Sequence, residues 1–214
     1  MCPQFQSGSP WSVRLLAPTI ATAALALNGC AAHAAPPVAG GLQAKSEALH
    51  NACAAADWGF ARRLVDEASE DWRSVERAAY GDGASATLLG MVSGALPLAR
   101  DAVDRHARRA CASNANGLSL AAAVLDESQE ARLRAWLRRA EMDGEYRDFD
   151  AAVRDVEHAE EAWPRVRPTL LPHAADEVDA AMAACHGAAE EQDAHALRHA
   201  SHAAMNAIDS ANRQ

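Results

Sequence analysis

The chain has 214 residues and a formal charge of −9; aromatic side chains make up only 5% of it, and 54 positions are alanine. Alanine is the best helix former, whereas strands favour β-branched and aromatic residues, so the composition excludes a β-sandwich, a barrel or a collagen-like repeat and predicts an all-α fold. Acidic residues outnumber basic ones 29 to 20, and Lys45 is the single lysine, which argues against a nucleic-acid partner because neutralising phosphates needs clustered cations.

Residues 15–27 form an uncharged apolar run of thirteen behind Arg14. A bilayer span needs about 20 apolar residues, while an export signal carries roughly 7 to 15 behind a basic flank, so this run predicts export. Leu27-Asn28-Gly29-Cys30 resembles the lipobox of bacterial lipoproteins. The resemblance implies that residues 1–30 are a signal and lipidation segment. Cys30 would carry the lipid and, with Ala31 behind it, anchor the protein to the outer membrane on the periplasmic side. The alternative is cleavage after Ala32-His33-Ala34, which gives a soluble exported protein beginning at Ala35. Residues 31–41, with Pro36-Pro37 and Gly40-Gly41, read as a flexible tether, and residues 42–214 as one domain.

Residues 57–75 and 148–166 match at an offset of 91, with eight of nineteen positions identical, Trp72/Trp163 and Val75/Val166 among them. Trp58, Ala61, Val65, Ala68, Trp72 and Val75 recur at spacings of 3, 4, 3, 4 and 3, as do Phe149, Ala152, Val156, Ala159, Trp163 and Val166. That spacing is the apolar seam of an amphipathic helix. Behind the first seam, Gly81-Asp82-Gly83 breaks the chain and Ser85 can cap a second helix, on which Leu89, Val92, Leu96, Ala99, Val103 and Ala110 share a face and which Pro97 should kink. Residues 114–129 read as the middle connection, and Gly144 as a break upstream of the second repeat. After that repeat Pro164, Pro168 and Pro172 should end the helix, and a last helix over about residues 174–211 sets Leu197, Ser201, Ala204 and Ile208 in seam spacing. The prediction is two α-hairpins, about residues 42–115 and 133–211, stacked as an antiparallel four-helix bundle with approximate twofold internal symmetry.

With Cys2 in the signal and Cys30 lipidated, Cys53, Cys111 and Cys185 remain, and an exported protein is expected to form a disulfide. A turn near Asp82 puts Cys53 29 residues before it and Cys111 29 after, at one height on neighbouring helices. The pair Cys53–Cys111 is therefore predicted, against the alternative of three buried free thiols. His195, His199 and His202, at i, i+4 and i+7, make a stripe able to take Zn²⁺, Cu²⁺ or Ni²⁺, but it points away from Leu197, Ala204 and Ile208, towards solvent. Glu47-x-x-His50 lacks a second such pair in register, as a ferritin-like di-metal site would require.

Met182-Ala-Ala-Cys185-His186 resembles the haem-attachment sequence of cytochrome c′, an exported four-helix bundle, with Met182 standing where the first attachment cysteine would be. The resemblance implies a single thioether at Cys185 and His186 as axial ligand. His186 also falls on the Leu197/Ile208 face, which predicts partial burial. No G-x-S-x-G, H-E-x-x-H, C-x-x-C or Gly-rich phosphate loop occurs. The acidic runs at 157–161 and 190–193 read as solvated helix backs. The sequence thus reads as an exported, lipid-anchored helical bundle without a cofactor. It would be a binding or structural module rather than an enzyme, its protein partner unknown and homodimerisation through the alanine-rich seams left open. The competing reading is a carrier of a transition metal or haem, held by His186 or by the His195, His199 and His202 stripe.

Overall fold

The structure, a computed structural model, describes residues 39–81 and 86–213. Their elements are α1 Ala39–Ala54, α2 Trp58–Gly81, α3 Ala86–Asp104, α4 Arg108–Leu125, α5 Gln129–Glu145, α6 Phe149–Val166, a 3₁₀ turn Arg167–Thr169, α7 Pro172–Glu190 and α8 Ala194–Ala211. The all-α class is as the composition predicts, with no strand among the described residues. Cys30 and the signal-like segment, Ser85, and the tether up to residue 38 lie outside the described residues. Helix α1 begins at Ala39, so residues 39–41 are helical rather than tether.

Among the described residues eight helices replace the four expected, and the reason is one recurring turn. Ala56, His106, Glu127, Arg147 and Gln192 all have φ between 52° and 60°. At each, two backbone bonds close the helix end. The N–H groups of Ala56 and Asp57 donate to the carbonyls of Cys53 and Ala52, and those of Gln192 and Asp193 to Ala189 and Ala188. This is the Schellman ending, in which the left-handed residue is usually glycine. Here none is glycine, so no punctuation in the sequence marked these breaks. The residue after each turn opens the next helix, and Asp57, Ser128, Asp148 and Asp193 accept first-turn N–H groups through their side chains. A non-glycine residue in this conformation costs about 1 kcal/mol. Ala56→Gly and Gln192→Gly are accordingly expected to raise stability by about 0.5–1 kcal/mol each in urea denaturation; a loss at both positions would contradict the turn geometry.

Helix α1 packs on α2 and α4, and α3 on the same two; α5 packs on α6 and α8, and α7 on the same two; α4 against α5 joins the quartets. Each quartet has its own core. Val65, Val75, Val92, Leu96 and Leu118 fill the first, and Leu133, Val156, Val178, Leu197 and Ile208 the second. Both predicted seams are buried from Ala61 to Val75 and from Ala152 to Val166, while Trp58 and Phe149 are half-buried. Ala110, expected on the face of Val103, is exposed, because the turn at His106 resets the helical phase.

The repeated unit is four helices, not two. The offset of 91 relates α1 and α2 to α5 and α6; thereafter Ala86–Asp104 maps onto Pro172–Glu190, and Arg108–Leu125 onto Ala194–Ala211, at an offset of 86. Equivalent positions Cys111/Leu197, Ala115/Ser201 and Ala122/Ile208 are all buried. Trp72 Nε1 donates to Ser93 Oγ at 2.9 Å, and the equivalent Trp163 Nε1 donates to the equivalent Asp179 Oδ1 at 2.6 Å. Most of residues 114–129, expected to be a connection, belongs to α4; only Asp126, Glu127 and Ser128 link it to α5. Asn116 and Ser119 are poor helix formers, yet both are buried and hydrogen-bonded to α5, and tertiary partners outweigh propensity there. Pro164 does not end α6 but sits in its last turn, two residues before the helix stops at Val166.

Candidate functional site

Polar side chains gather where the quartets meet. Arg138 of α5 is only 9% exposed, and its Nη2 donates to Glu47 Oε1 of α1 at 3.1 Å and to Ser119 Oγ of α4 at 3.2 Å. Gln43 Nε2 donates to the same two acceptors at 2.7 and 2.8 Å. Asn116 Nδ2 donates to the Ala135 carbonyl at 2.9 Å. Burial lowers the pKa of the Arg138 guanidinium, and the Glu47 carboxylate opposes that effect. A charge this deep persists when it is paired and hydrogen-bonded, and α1 and α4 supply the partners.

Beside Arg138 a cleft of about 80 Å³ opens, lined by His50, Arg108, Arg138, Glu141, Met142 and Tyr146 among others. His50 Nδ1 lies 3.2 Å from the Ala112 carbonyl, and burial lowers the ring's pKa below its ordinary value. The ring is therefore neutral at pH 7; with Nδ1 donating, Nε2 is left as an acceptor. Burial raises the Glu141 carboxyl, and His202 and Arg198 of α8 oppose the rise, with His202 Nε2 at 3.1 Å and Arg198 Nε at 3.4 Å. Arg109 stacks over the Tyr146 ring at 4.2 Å. The cleft thus offers a neutral base, the two carboxyl groups of Glu141 and Glu145, two guanidinium groups and an apolar wall at Met142, enough to hold a small polar group or the side chain of a partner.

A second cluster lies under the α5–α6 turn. Asp143 and Asp155 are 8% and 5% exposed, and their carboxyl groups adjoin each other beside Arg139. Arg139 Nε is 3.3 Å from Asp155 Oδ2 and 4.0 Å from Asp143 Oδ2. Burial pushes Asp155 up to about 8 and raises Asp143 as well. Gly144 lets α8 come close, since a Cβ there would meet Leu197 Cδ2 at 2.8 Å.

Of the residues singled out from sequence, Cys53 and Cys111 are joined sulfur to sulfur between α1 and α4, with Cα atoms 5.7 Å apart. Cys185 is a buried free thiol beside Ser201, and burial pushes it up to about 11. His195, His199 and His202 are exposed, and His202 is engaged by Glu141. His186 is half-buried, as its helical phase predicts: its side chain is 35% exposed and pairs with Glu160 of α6 at 3.1 Å and with Glu190 of its own helix at 3.5 Å. Among the described residues no three His, Cys, Asp or Glu side chains converge as a metal site would require.

Sequence reasoning passed over the cleft. Its one signal was Glu47-x-x-His50, weighed only for a di-metal site. Of the acidic pair, Asp155 was visible in the repeat itself, where it stands opposite Leu64 next to the matching seam residues Val156 and Val65. Compared with known proteins, the chain matches no family model, no characterised protein and no solved structure.

Proposed function

We propose that this chain is an exported protein anchored to the outer membrane through lipid on Cys30, and that it acts there as an interaction module made of two tandem antiparallel four-helix bundles. The cleft between α1, α4 and α5 carries this reading. It draws walls from both quartets, so a partner seated there would hold their relative placement. The pairing of Cys53 with Cys111 supports an oxidising compartment and fastens α1 to α4 beside His50 and Ala112, at the cleft's edge.

Two experiments test the reading. Cys30→Ala is expected to abolish metabolic labelling by palmitate and to move the protein from the membrane to the soluble periplasmic fraction; wild-type protein that takes up no label contradicts the anchor. A photo-crosslinking residue in place of Tyr146, at the cleft, is expected to give a discrete adduct in intact cells, whereas the same residue at Glu161, on the exposed back of α6, gives none. Equal labelling from both positions contradicts the cleft as the docking point.

A further inference from the structure

Two adjoining carboxyl groups out of water resist being ionised together, because each disfavours the charge of the other and burial disfavours both. The charges facing Asp143 and Asp155 do not remove that conflict. Arg139 of α5 lies near both, Arg109 of α4 faces Asp143, Arg154 of α6 faces Asp155, and Asp148 in the turn adds a further negative charge on the Asp143 side. Helix α8 brings Leu197 against Gly144, and its Arg198 is taken up by Glu141 and Glu145. Helix α7 places His186 on Glu160, farther along α6. Asp155 Oδ2 is buried and, although within ion-pair distance of Arg139, has no hydrogen-bond partner. Such an atom is costly unless a proton is present in the pair.

The repeat shows that the fold does not need acids here. The positions equivalent to Asp143 and Asp155 in the first quartet are Ala52 and Leu64, both buried apolar residues. We infer that Asp143 and Asp155 form a buried proton-binding site in the second quartet, in which one shared proton holds α5 against α6 and its loss loosens the hairpin. Met142 and Tyr146, on either side of Asp143 and Gly144, line the cleft, so loosening there reaches the cleft wall.

The direction of the pH effect follows from where the proton binds. Asp155 holds its proton up to about 8 in the folded chain against an ordinary 3.8 when unfolded, so between those values the folded state carries a proton that the unfolded state has lost. The contribution to stability is full below about pH 4 and falls as pH rises through about 8, by up to tenfold in the folding constant per pH unit for one proton. The test is ¹³C NMR of the aspartate carboxyl groups in the full chain, with urea denaturation at pH 5 and pH 8 of wild type, Asp155→Asn and the repeat-copying double variant Asp143→Ala/Asp155→Leu. The expected result is a carboxyl transition near pH 8 in wild type and a folding constant that drops between the two pH values by at least about a hundredfold more than in Asp155→Asn. Aspartate carboxyl groups that all titrate near pH 4, or an Asp155→Asn variant with the pH dependence of wild type, overturn the inference. If the double variant does not fold, the wild-type titration and Asp155→Asn decide the matter alone.

Discussion

Removing the Cys53–Cys111 link, by reductant or as Cys53→Ala/Cys111→Ala, is expected to cost about 4 kcal/mol of stability. The bond closes a loop with a sequence separation of 58, and on the chain-entropy account a loop of that size restricts the unfolded state by about this much. Alanine at both sites leaves only small apolar gaps between α1 and α4, so most of the loss reflects the missing cross-link. The first quartet should suffer most, because both cysteines lie in it and the link fastens its N-terminal helix α1 to α4, beside the packing of Leu49 and Ala52 on Ala112 and Ala115. Urea denaturation with and without reductant measures the effect. Identical midpoints would mean that the two sulfurs are not joined in the folded protein.

Trp163→Ala is expected to cost about 3–5 kcal/mol, the range for emptying a buried large aromatic, and Trp72→Ala about the same. Both rings are buried, both sit at the end of a seam, and both reach across to the third helix of their quartet through Nε1. Phenylalanine separates the two components of the loss. Trp163→Phe keeps most of the apolar contact and gives up the bond to Asp179, for which about 1 kcal/mol is expected. The two tryptophans form an internal comparison. If the quartets are equivalent units, their alanine variants should agree to within about 1 kcal/mol; a large cost at one tryptophan and none at the other would show that the repeat is not structural.

The seams were legible because their chemistry is uneven. Tryptophan and valine set every third and fourth residue against charged neighbours, and Ala61 to Val75 and Ala152 to Val166 are buried as that pattern requires. The number of helices was not legible, since Ala56, His106, Glu127, Arg147 and Gln192 bend the chain without glycine or proline to mark the bend. An alanine-rich chain can continue as helix through Asn116 and Ser119 once Arg138 satisfies them, and nothing local to those residues announces an arginine from the next helix. The last histidine stripe was read correctly as solvent-facing from its phase against Leu197 and Ile208. The partial burial of His186 was legible from the same phase, but its partners Glu160 and Glu190 were not, because phase does not say which side chains of a neighbouring helix lie alongside. The acidic pair could have been found by asking which residues break the repeat's apolar matches. Asp155 does so opposite Leu64, while Asp143 lies outside the stretch where the repeat is evident from sequence.

The intact mass of the protein, extracted from the membrane fraction of its own cells without reductant, tests the account most directly because one number reports both its address and its cross-link. The account predicts a chain that begins at Cys30, carries lipid, and is lighter by the two hydrogens that Cys53–Cys111 removes. A chain beginning at Met1 with every cysteine as a free thiol would contradict export, anchor and disulfide together.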